Sequence, residues 1–318
     1  MQGISIIIPT YNRQKFIEEA IQSVFDQEYD GNLEVIISDD GSSDKTLEIA
    51  ESFGNRVTIL RKGKDCLSQG VSSTRNKGLK VATQPYICFL DSDDFYLPNH
   101  LNCMASVLES NPELGFVFSR TLEVKEENGL KLFKLWTQQH ISKNDILNPV
   151  VSRGNIVHTN CFLFRRVVFD KIGGFNEAYS NGEDQDLWMR ISEQYRGAFS
   201  DHFGAAYRFQ HEAGQLTNNS EEIVRNYLVK IYKNAIERYY QLGLKSSFRI
   251  FSLRRNLSNH EYKNFRLMYY LNYIYLIFWY PFPFLQRIPS IYSRFFKKTK
   301  TNDWYELSHF LKSDNLIK

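Results

Sequence analysis

The chain has 318 residues, 42% apolar and 24% charged, a length and composition that support a large folded core. Its net charge of +3 hides an asymmetry, because residues 222–318 carry 17 Lys and Arg against 6 Asp and Glu, a net charge of +11, and residues 1–221 carry 22 against 30, a net charge of −8. That basic C-terminal part predicts contact with an anionic surface. The four cysteines form no Cys-x-x-Cys pair, which excludes a cysteine-based zinc site and favours a location in the reducing cytoplasm.

Four apolar runs predict β-strands, and helical patterns lie between them. The runs cover residues 4–8, 33–38, 57–60 and 86–90, and apolar side chains recur at helical spacing over 16–25 and 71–82. Strands that alternate with helices over short connections predict an open α/β layer with parallel strands. The first run is too short for the apolar core of a signal peptide. In such sheets ligands bind outside the carboxyl ends of the strands, so polar residues after these runs should share one crevice.

Three carboxylates follow the fourth predicted strand within four residues: Asp91, Asp93 and Asp94. Unpaired carboxylates are costly to desolvate, and clustered like charges raise one another's pKa. A divalent cation removes both costs, and carboxylate oxygens suit Mg²⁺ or Mn²⁺, which leave positions open for substrate phosphates. The alternative is a solvated turn that caps the helix beginning near Pro98. The apolar strand in front of the cluster favours the metal site.

A second acidic group, Glu183, Asp184 and Asp186, begins a later predicted helix after a glycine-rich loop. Ordinary capping of a helix N-terminus by negative charge is the alternative to a catalytic role. His211 follows a last predicted strand over 204–210, and both a structural role and a metal or phosphate role are open for it. No Gly-x-Gly-x-x-Gly or Gly-x-x-x-x-Gly-Lys follows the first strand, so this chain lacks the phosphate-binding loops of dinucleotide-binding and P-loop proteins.

Weaker patterns complete the chain. Strands are predicted over 115–122 and 159–164 and a helix over 98–109, whereas the charged segment 123–149 has no readable pattern. From residue 221 onward the pattern changes to long helices dense in aromatic and basic side chains. These observations predict a catalytic domain over 1–220 and a helical aromatic and basic region over 221–318.

The chain resembles the glycosyltransferases of family 2, which have the GT-A fold. Four stretches carry the resemblance in the family's order and spacing: SIIIPTYN at 5–12, ISDDGSSD at 37–44, GVSSTRNKG at 70–78 and FLDSDD at 89–94. Similar later landmarks occur at 164–166, 173–175, 182–184 and 207–211. The resemblance covers residues 3–220 and implies an α/β fold with an open, mainly parallel sheet flanked by helices, followed here by a helical C-terminal extension.

The resemblance implies which residues bind the nucleotide of a sugar donor: Pro9, Thr10, Tyr11, Asp39, Arg75 and Asp91. Tyr11 would stack on the base, Asp39 would accept a hydrogen bond from the uracil imide, and Asp91 would lie near the ribose. Arg75 would face the nucleotide. Ser68 stands where many relatives have an Asn that contacts the nucleotide, which leaves the base preference open.

The resemblance also implies a metal site and a catalytic base. Asp93 would bind Mn²⁺ or Mg²⁺, with Asp94 as its rival for that contact, and His211 would be a further metal or diphosphate ligand. Asp184 would be the catalytic base, and Glu183 is the alternative if the roles of these two neighbours are exchanged.

The expected reaction is the inverting transfer of a sugar from a UDP-sugar to a hydroxyl of a glycan or lipid-linked acceptor, in cell-surface polysaccharide synthesis. Such a displacement needs a cation on the leaving diphosphate and a carboxylate that takes the acceptor's proton. A nucleotidyltransferase is an alternative, although its basic glycine-rich loop is absent after the first strand. A catalytically inactive sugar-nucleotide-binding scaffold is another, although the acidic clusters are intact. No nucleic-acid partner is expected.

The C-terminal region contains an apolar, aromatic stretch over 267–285 that Pro281 and Pro283 interrupt. A spanning helix needs about 20 apolar residues, and too few precede Pro281. Tyrosine and tryptophan favour the membrane interface, and five basic residues follow between 287 and 300. The pattern predicts a monotopic helix on an anionic membrane, at the inner face of the plasma membrane. The alternatives are packing on the catalytic domain and a homo-oligomer interface.

Overall fold

The computed structural model describes residues 1–62, 70–136, 157–208 and 221–243, together with residues 253, 254, 257 and 307. These residues form a nine-stranded sheet with seven helices. The strands are β1 Ile4–Thr10, β2 Leu33–Asp39, β3 Val57–Leu60, β4 Tyr86–Phe89, β5 Phe95–Tyr96, β6 Leu114–Glu127, β7 Leu130–Leu135, β8 Phe162–Arg165 and β9 Arg196–Arg208. The helices are α1 Ile17–Phe25, α2 Thr46–Glu51, α3 Gly70–Val81, α4 His100–Ser110, α5 Arg166–Ile172, α6 Glu183–Gln194 and α7 Glu221–Gln241.

The first half of the sheet is parallel, in the order β3-β2-β1-β4, as the alternating pattern predicts. β1 is buried along its whole length, which is typical of a central strand in a parallel sheet. Helix α3 lies so close to it that a Cβ at Gly78 would come within 2.4 Å of a side-chain carbon of Ile7. Glycine here allows α3 to approach the sheet closely, and α3 carries Arg75 toward the ends of the strands.

The second half of the sheet is mixed. β8 pairs antiparallel with β4, β6 pairs antiparallel with β8, and β9 runs parallel to β6. β5, directly after the acidic cluster, pairs antiparallel with β9. The fold class is therefore confirmed, with parallel pairing across the first four strands and mixed pairing beyond them. This change from parallel to mixed strand pairing places β9, from late in the chain, close to the loop that follows β4.

The described part of the segment without a readable pattern is a β-hairpin. β6 continues to Glu127, and β7 returns antiparallel along it. Asn128 and Gly129 connect the two strands with φ angles of 52° and 77°. An Asn-Gly pair is the favoured sequence for a two-residue turn with positive φ at both positions, so this pair was the signal for the hairpin.

The helix α7 packs on α6. Ile231 and Tyr239 of α7 are fully buried in a cluster that includes Met189 of α6. The predicted boundary between residues 220 and 221 coincides with the beginning of α7, and the division into two domains stays a prediction. In the part of the chain that the structure describes, no helix has the length and apolarity needed to cross a membrane. The segment 267–300, predicted to contact a membrane, lies outside the described residues.

Candidate active site

A cleft of about 590 Å³ lies at the carboxyl ends of β1 and β4 and extends to β9 and α7. Nine of the residues singled out in the sequence line it: Pro9, Thr10, Tyr11, Arg75, Asp91, Asp93, Asp94, Glu183 and Asp184. They come from four distant stretches of the chain, and the parallel topology brings them to one edge of the sheet. Ser68 and His211 lie outside the described residues.

Asp39 does not line the cleft, whereas its neighbour Asp40 does. The Asp39 carboxylate accepts hydrogen bonds from the backbone N–H groups of Gly41 at 2.9 Å and Ser42 at 3.1 Å. It also accepts one from the Ser42 hydroxyl. Asp39 therefore holds the turn after β2, and Asp40, whose carboxylate lies 3.7 Å from Lys62 Nζ, is the one that faces the cleft.

Arg75 joins the two acidic groups. Its side chain is 4% exposed, with Nη2 2.6 Å from Asp91 Oδ1 and Nη1 2.8 Å from Glu183 Oε1. Burial alone would lower the pKa of Arg75, but the carboxylates of Asp91 and Glu183 raise it, so the guanidinium stays charged. Arg75 thus fixes the distance between the loop after β4 and the first turn of α6.

Asn160 holds the acidic loop from the other side. Its Oδ1 accepts the backbone N–H of Asp91 at 2.9 Å, and its Nδ2 donates to Asp94 Oδ2 at 2.7 Å. Burial would raise the pKa of Asp91, but the adjacent Arg75 guanidinium lowers it. The pKa of Asp94 is raised well above its usual range by burial and by the neighbouring Asp93 and Asp91 carboxylates. A nearby positive charge would therefore stabilise the ionised form of the buried Asp94 carboxyl.

Asp93 is paired with Arg13, whose Nε lies 3.3 Å from Asp93 Oδ2. Burial raises the pKa of Asp93, and the Arg13 guanidinium only partly offsets that effect. Arg13 Nη1 also donates to the backbone carbonyl of Tyr11 at 3.2 Å. Sequence reasoning missed Arg13, which follows directly after the SIIIPTYN motif.

Asp91, Asp94 and His158 form the cluster that could hold a metal ion, with their ligand atoms within 4.8 Å of one another. His158 Nδ1 is buried without a hydrogen-bond partner among the described residues, and it lies 4.0 Å from Asp94 Oδ2. Two carboxylates and an imidazole are ligands that suit Mn²⁺, so the donor set fits the expected metal. The predicted set was Asp93, Asp94 and His211, and only Asp94 belongs to both. No spacing in the sequence marks His158, because it precedes an ordinary short 3₁₀ turn.

Glu183 and Asp184 lie side by side at the beginning of α6 but differ in environment. Glu183 is 7% exposed and is bound to Arg75, whereas Asp184 is half-buried at the cleft and accepts the backbone N–H of Gln185 at 2.7 Å. Burial, with the neighbouring Glu183 charge, raises the pKa of Asp184 to about 7. A carboxylate with such a pKa is suited to take a proton near neutral pH.

Arg208 anchors β9 to the acidic loop. Its backbone N–H donates to Asp94 Oδ1 at 2.7 Å, and its Nε donates to the carbonyl oxygen of Asp93 at 3.0 Å. The 2% exposed side chain also binds Glu126 at 2.6 Å and Glu19. Sequence analysis included Arg208 only within the family landmark at 207–211, and its partners far along the chain could not be read from local patterns.

The model of the family "Glycosyl transferase family 2" matches residues 5–173. The chain therefore belongs to glycosyltransferase family 2, and its sheet with flanking helices is the GT-A fold. The family assignment disfavours the nucleotidyltransferase alternative.

The chain is similar to the UDP-Glc:alpha-D-GlcNAc-diphosphoundecaprenol beta-1,3-glucosyltransferase of Escherichia coli, with 26% identity over 80% of this chain and 92% of the relative. Two solved structures share its fold. S. aureus TarS in complex with UDP-GlcNAc has 19% identity and a TM-score of 0.56, over 82% of this chain and 81% of that one. The mannosyltransferase of Pyrobaculum calidifontis with GDP-Man and Mn²⁺ has 18% identity and a TM-score of 0.54, over 93% and 88%.

Several uncharacterized glycosyltransferases of Rickettsia match at 30% to 31% identity. The chain spans between 27% and 60% of the length of these relatives.

Proposed function

We propose that the protein is a metal-dependent, inverting transferase that moves a sugar from a UDP-sugar to a hydroxyl of a lipid-linked acceptor. The observation that carries the proposal is the difference between Glu183 and Asp184. Both side chains line the cleft, but Glu183 is ion-paired with Arg75, whereas the pKa of Asp184 is raised to about 7. One of the two neighbours is thereby assigned to structure and the other to proton transfer.

In this mechanism Asp184 accepts the proton of the acceptor hydroxyl while the hydroxyl oxygen bonds to the anomeric carbon of the donor sugar. The bond from that carbon to the diphosphate oxygen breaks on the opposite side, so one displacement inverts the anomeric centre. Asp91, Asp94 and His158 would hold Mn²⁺ or Mg²⁺, which neutralises charge on the leaving diphosphate when it is bound. Arg75 keeps the base and the acidic loop at a fixed separation.

The donor nucleotide fits the end of the cleft near β1 and β2. Tyr11 is 52% exposed there, so its ring is accessible to a nucleobase. We assign base recognition to Asp40 in place of Asp39, the residue that the family resemblance implies, because Asp40 lines the cleft and the carboxylate of Asp39 is bound to the turn. Pro9, Thr10 and Arg13 complete this end.

The lipid-linked acceptor is supported by the name of the E. coli relative, whose acceptor is a sugar diphosphoundecaprenol. Such an acceptor lies in a membrane, which agrees with the basic, aromatic composition of the C-terminal region. We therefore place the protein at the cytoplasmic face of the plasma membrane, in cell-surface polysaccharide synthesis. Flotation with anionic and neutral liposomes tests this placement: binding to neither kind would contradict it, as would binding that survives deletion of 267–300.

A donor panel tests the central proposal. UDP-glucose, UDP-N-acetylglucosamine, UDP-galactose and GDP-mannose are compared by thermal shift in Mn²⁺, since a ligand that binds the native state raises its stability. The donor that binds is then incubated with short-chain lipids that carry N-acetylglucosamine or N-acetylgalactosamine on a diphosphate, with and without EDTA. We expect transfer that chelation abolishes and a product anomer opposite to that of the donor. Full activity in EDTA would overturn the metal dependence, and retention of configuration would overturn the inverting mechanism. Donor binding without any turnover would overturn the transferase activity.

A further inference from the structure

Three aromatic side chains line the cleft beside the acidic loop and contact one another. The rings of His158 and Tyr207 lie 4.8 Å apart at an angle of 37°, and Trp136 meets His158 edge-on at 5.7 Å and Tyr207 at 6.5 Å. All three are partly exposed, and all three line the cleft. They come from three separate parts of the chain, so their meeting is a tertiary feature. We call them the aromatic platform.

The aromatic platform is held at a fixed distance from the acidic loop. Asn160, two residues after His158, binds both Asp91 and Asp94. Arg208, the residue after Tyr207, donates its backbone N–H to Asp94. Each of these two rings therefore lies within two residues of a direct hydrogen bond with the loop. A preorganised surface of this kind loses little conformational freedom when a ligand binds.

Trp136 and Tyr207 line the cleft from the second half of the sheet, away from β1 and β2, which lead to the proposed nucleotide end. The sheet order places β1 and β2 on one side of β4, and β6 and β9 on the other. Tyr11 follows β1, whereas Tyr207 lies in β9 and Trp136 directly follows β7, the partner of β6. A donor with its base near Tyr11 and its diphosphate near the loop after β4 leaves the far end for the second substrate. Asp184 also lines this cleft.

The chemistry of the aromatic platform favours a sugar ring. A pyranose has a face of C–H groups, which aromatic faces attract through their negative quadrupole, and a rim of hydroxyls. Trp and Tyr offer apolar ring faces together with polar groups at the ring edges, which matches that pattern. An isoprenoid chain would need a longer apolar surface, and α7 adds only Val224 and Leu228 to the lining. We propose that Trp136 and Tyr207 of the aromatic platform bind the terminal sugar ring of the acceptor, while His158, packed against both rings, remains the proposed metal ligand. This inference rests on the proposed glycosyl transfer.

A kinetic comparison tests the aromatic platform with paired variants. Trp136→Ala should raise the acceptor KM about tenfold with kcat within about threefold, because it removes binding that ground state and transition state share. Its donor KM should not change, and Trp136→Phe should recover most of the loss. Tyr11→Ala, at the other end of the cleft, should show the reverse, a higher donor KM with an unchanged acceptor KM. Tyr207→Ala is the second variant if Trp136→Ala fails to fold in a thermal melt. A higher donor KM in Trp136→Ala, or an unchanged acceptor KM, would overturn the assignment.

Saturation-transfer NMR gives a readout that needs no turnover. The probes are the methyl glycosides of glucose, N-acetylglucosamine and N-acetylgalactosamine, added to the protein with UDP and Mn²⁺. We expect at least one probe to receive saturation on its ring C–H protons in the wild type and in Tyr11→Ala, but not in Trp136→Ala. No saturation from any probe, or equal saturation in Trp136→Ala, would overturn the aromatic platform. Failure of the proposed function is read separately, as the absence of any thermal shift with the donor panel.

Discussion

The two ends of the cleft are built in different ways. The nucleotide end consists of short motifs after β1 and β2, and the Asp39 hydrogen bonds there reach only two or three residues along the chain. The other end depends on contacts between distant residues: Arg75 with Glu183 are 108 positions apart, and Arg208 with Asp94 are 114 apart. Motifs therefore locate the nucleotide end, although Arg13 there also pairs with the distant Asp93, while the acceptor end is defined only by contacts between residues far apart in the sequence. Substitutions at the two ends should separate donor effects from effects on catalysis and stability.

The largest expected effect is on the base. Asp184→Asn keeps the size of the side chain but cannot accept a proton, so kcat should fall by about 10²–10⁴ with donor affinity retained. Because the pKa of Asp184 is raised to about 7, wild-type kcat/KM should fall as the pH drops through that value and the carboxylate becomes protonated. Steady-state kinetics between pH 5.5 and 8.5 measure both. A larger loss of kcat in Glu183→Gln would show that the two neighbours have exchanged roles.

The next effect tests the link between the two ends. Arg75→Met leaves Asp91 and Glu183 without their buried partner, and breaking such a pair costs about 3–5 kcal/mol of unfolding free energy. Urea unfolding measures the change. The matched control is Arg61→Met, which removes an exposed ion pair with Glu51, 57% and 47% exposed, and should cost less than about 1 kcal/mol. Equal losses of unfolding free energy in the two variants would contradict the role of Arg75 as the buried link between the two acidic groups.

A smaller effect separates the two sets of metal ligands. If His158 binds the ion, His158→Ala should weaken Mn²⁺ binding, measured by EPR titration without nucleotide, by at least about tenfold. Asp93→Asn should change it less, because Asp93 is paired with Arg13. The reverse order would restore the Asp93 site that the family resemblance implies and would remove His158 from the set.

The smallest effect lies within the nucleotide end. Asp40→Asn should raise the KM for a UDP-sugar by about tenfold, the value of one hydrogen bond to a charged group. Asp39→Asn should instead lower stability, because its carboxylate accepts three hydrogen bonds in the turn. Thermal melts and donor kinetics on both variants distinguish these outcomes. A donor-specific loss in Asp39→Asn with an unchanged melting temperature would return base recognition to Asp39.

Local patterns determined the α/β class, the first four strands and α3, because apolar periodicity and turn chemistry act between near neighbours. They also placed both acidic groups at the ends of elements that meet at one edge. Tertiary structure alone decided which partner holds each carboxylate. Arg75 forms an ion pair with Glu183, and Arg13 forms one with Asp93. The backbone of the turn after β2 donates hydrogen bonds to the Asp39 carboxylate. It also brought His158 to the acidic loop and Tyr207 to His158. The physical reason is that a polar side chain's role depends on the partner that compensates its burial, and for most of this site that partner lies far along the chain.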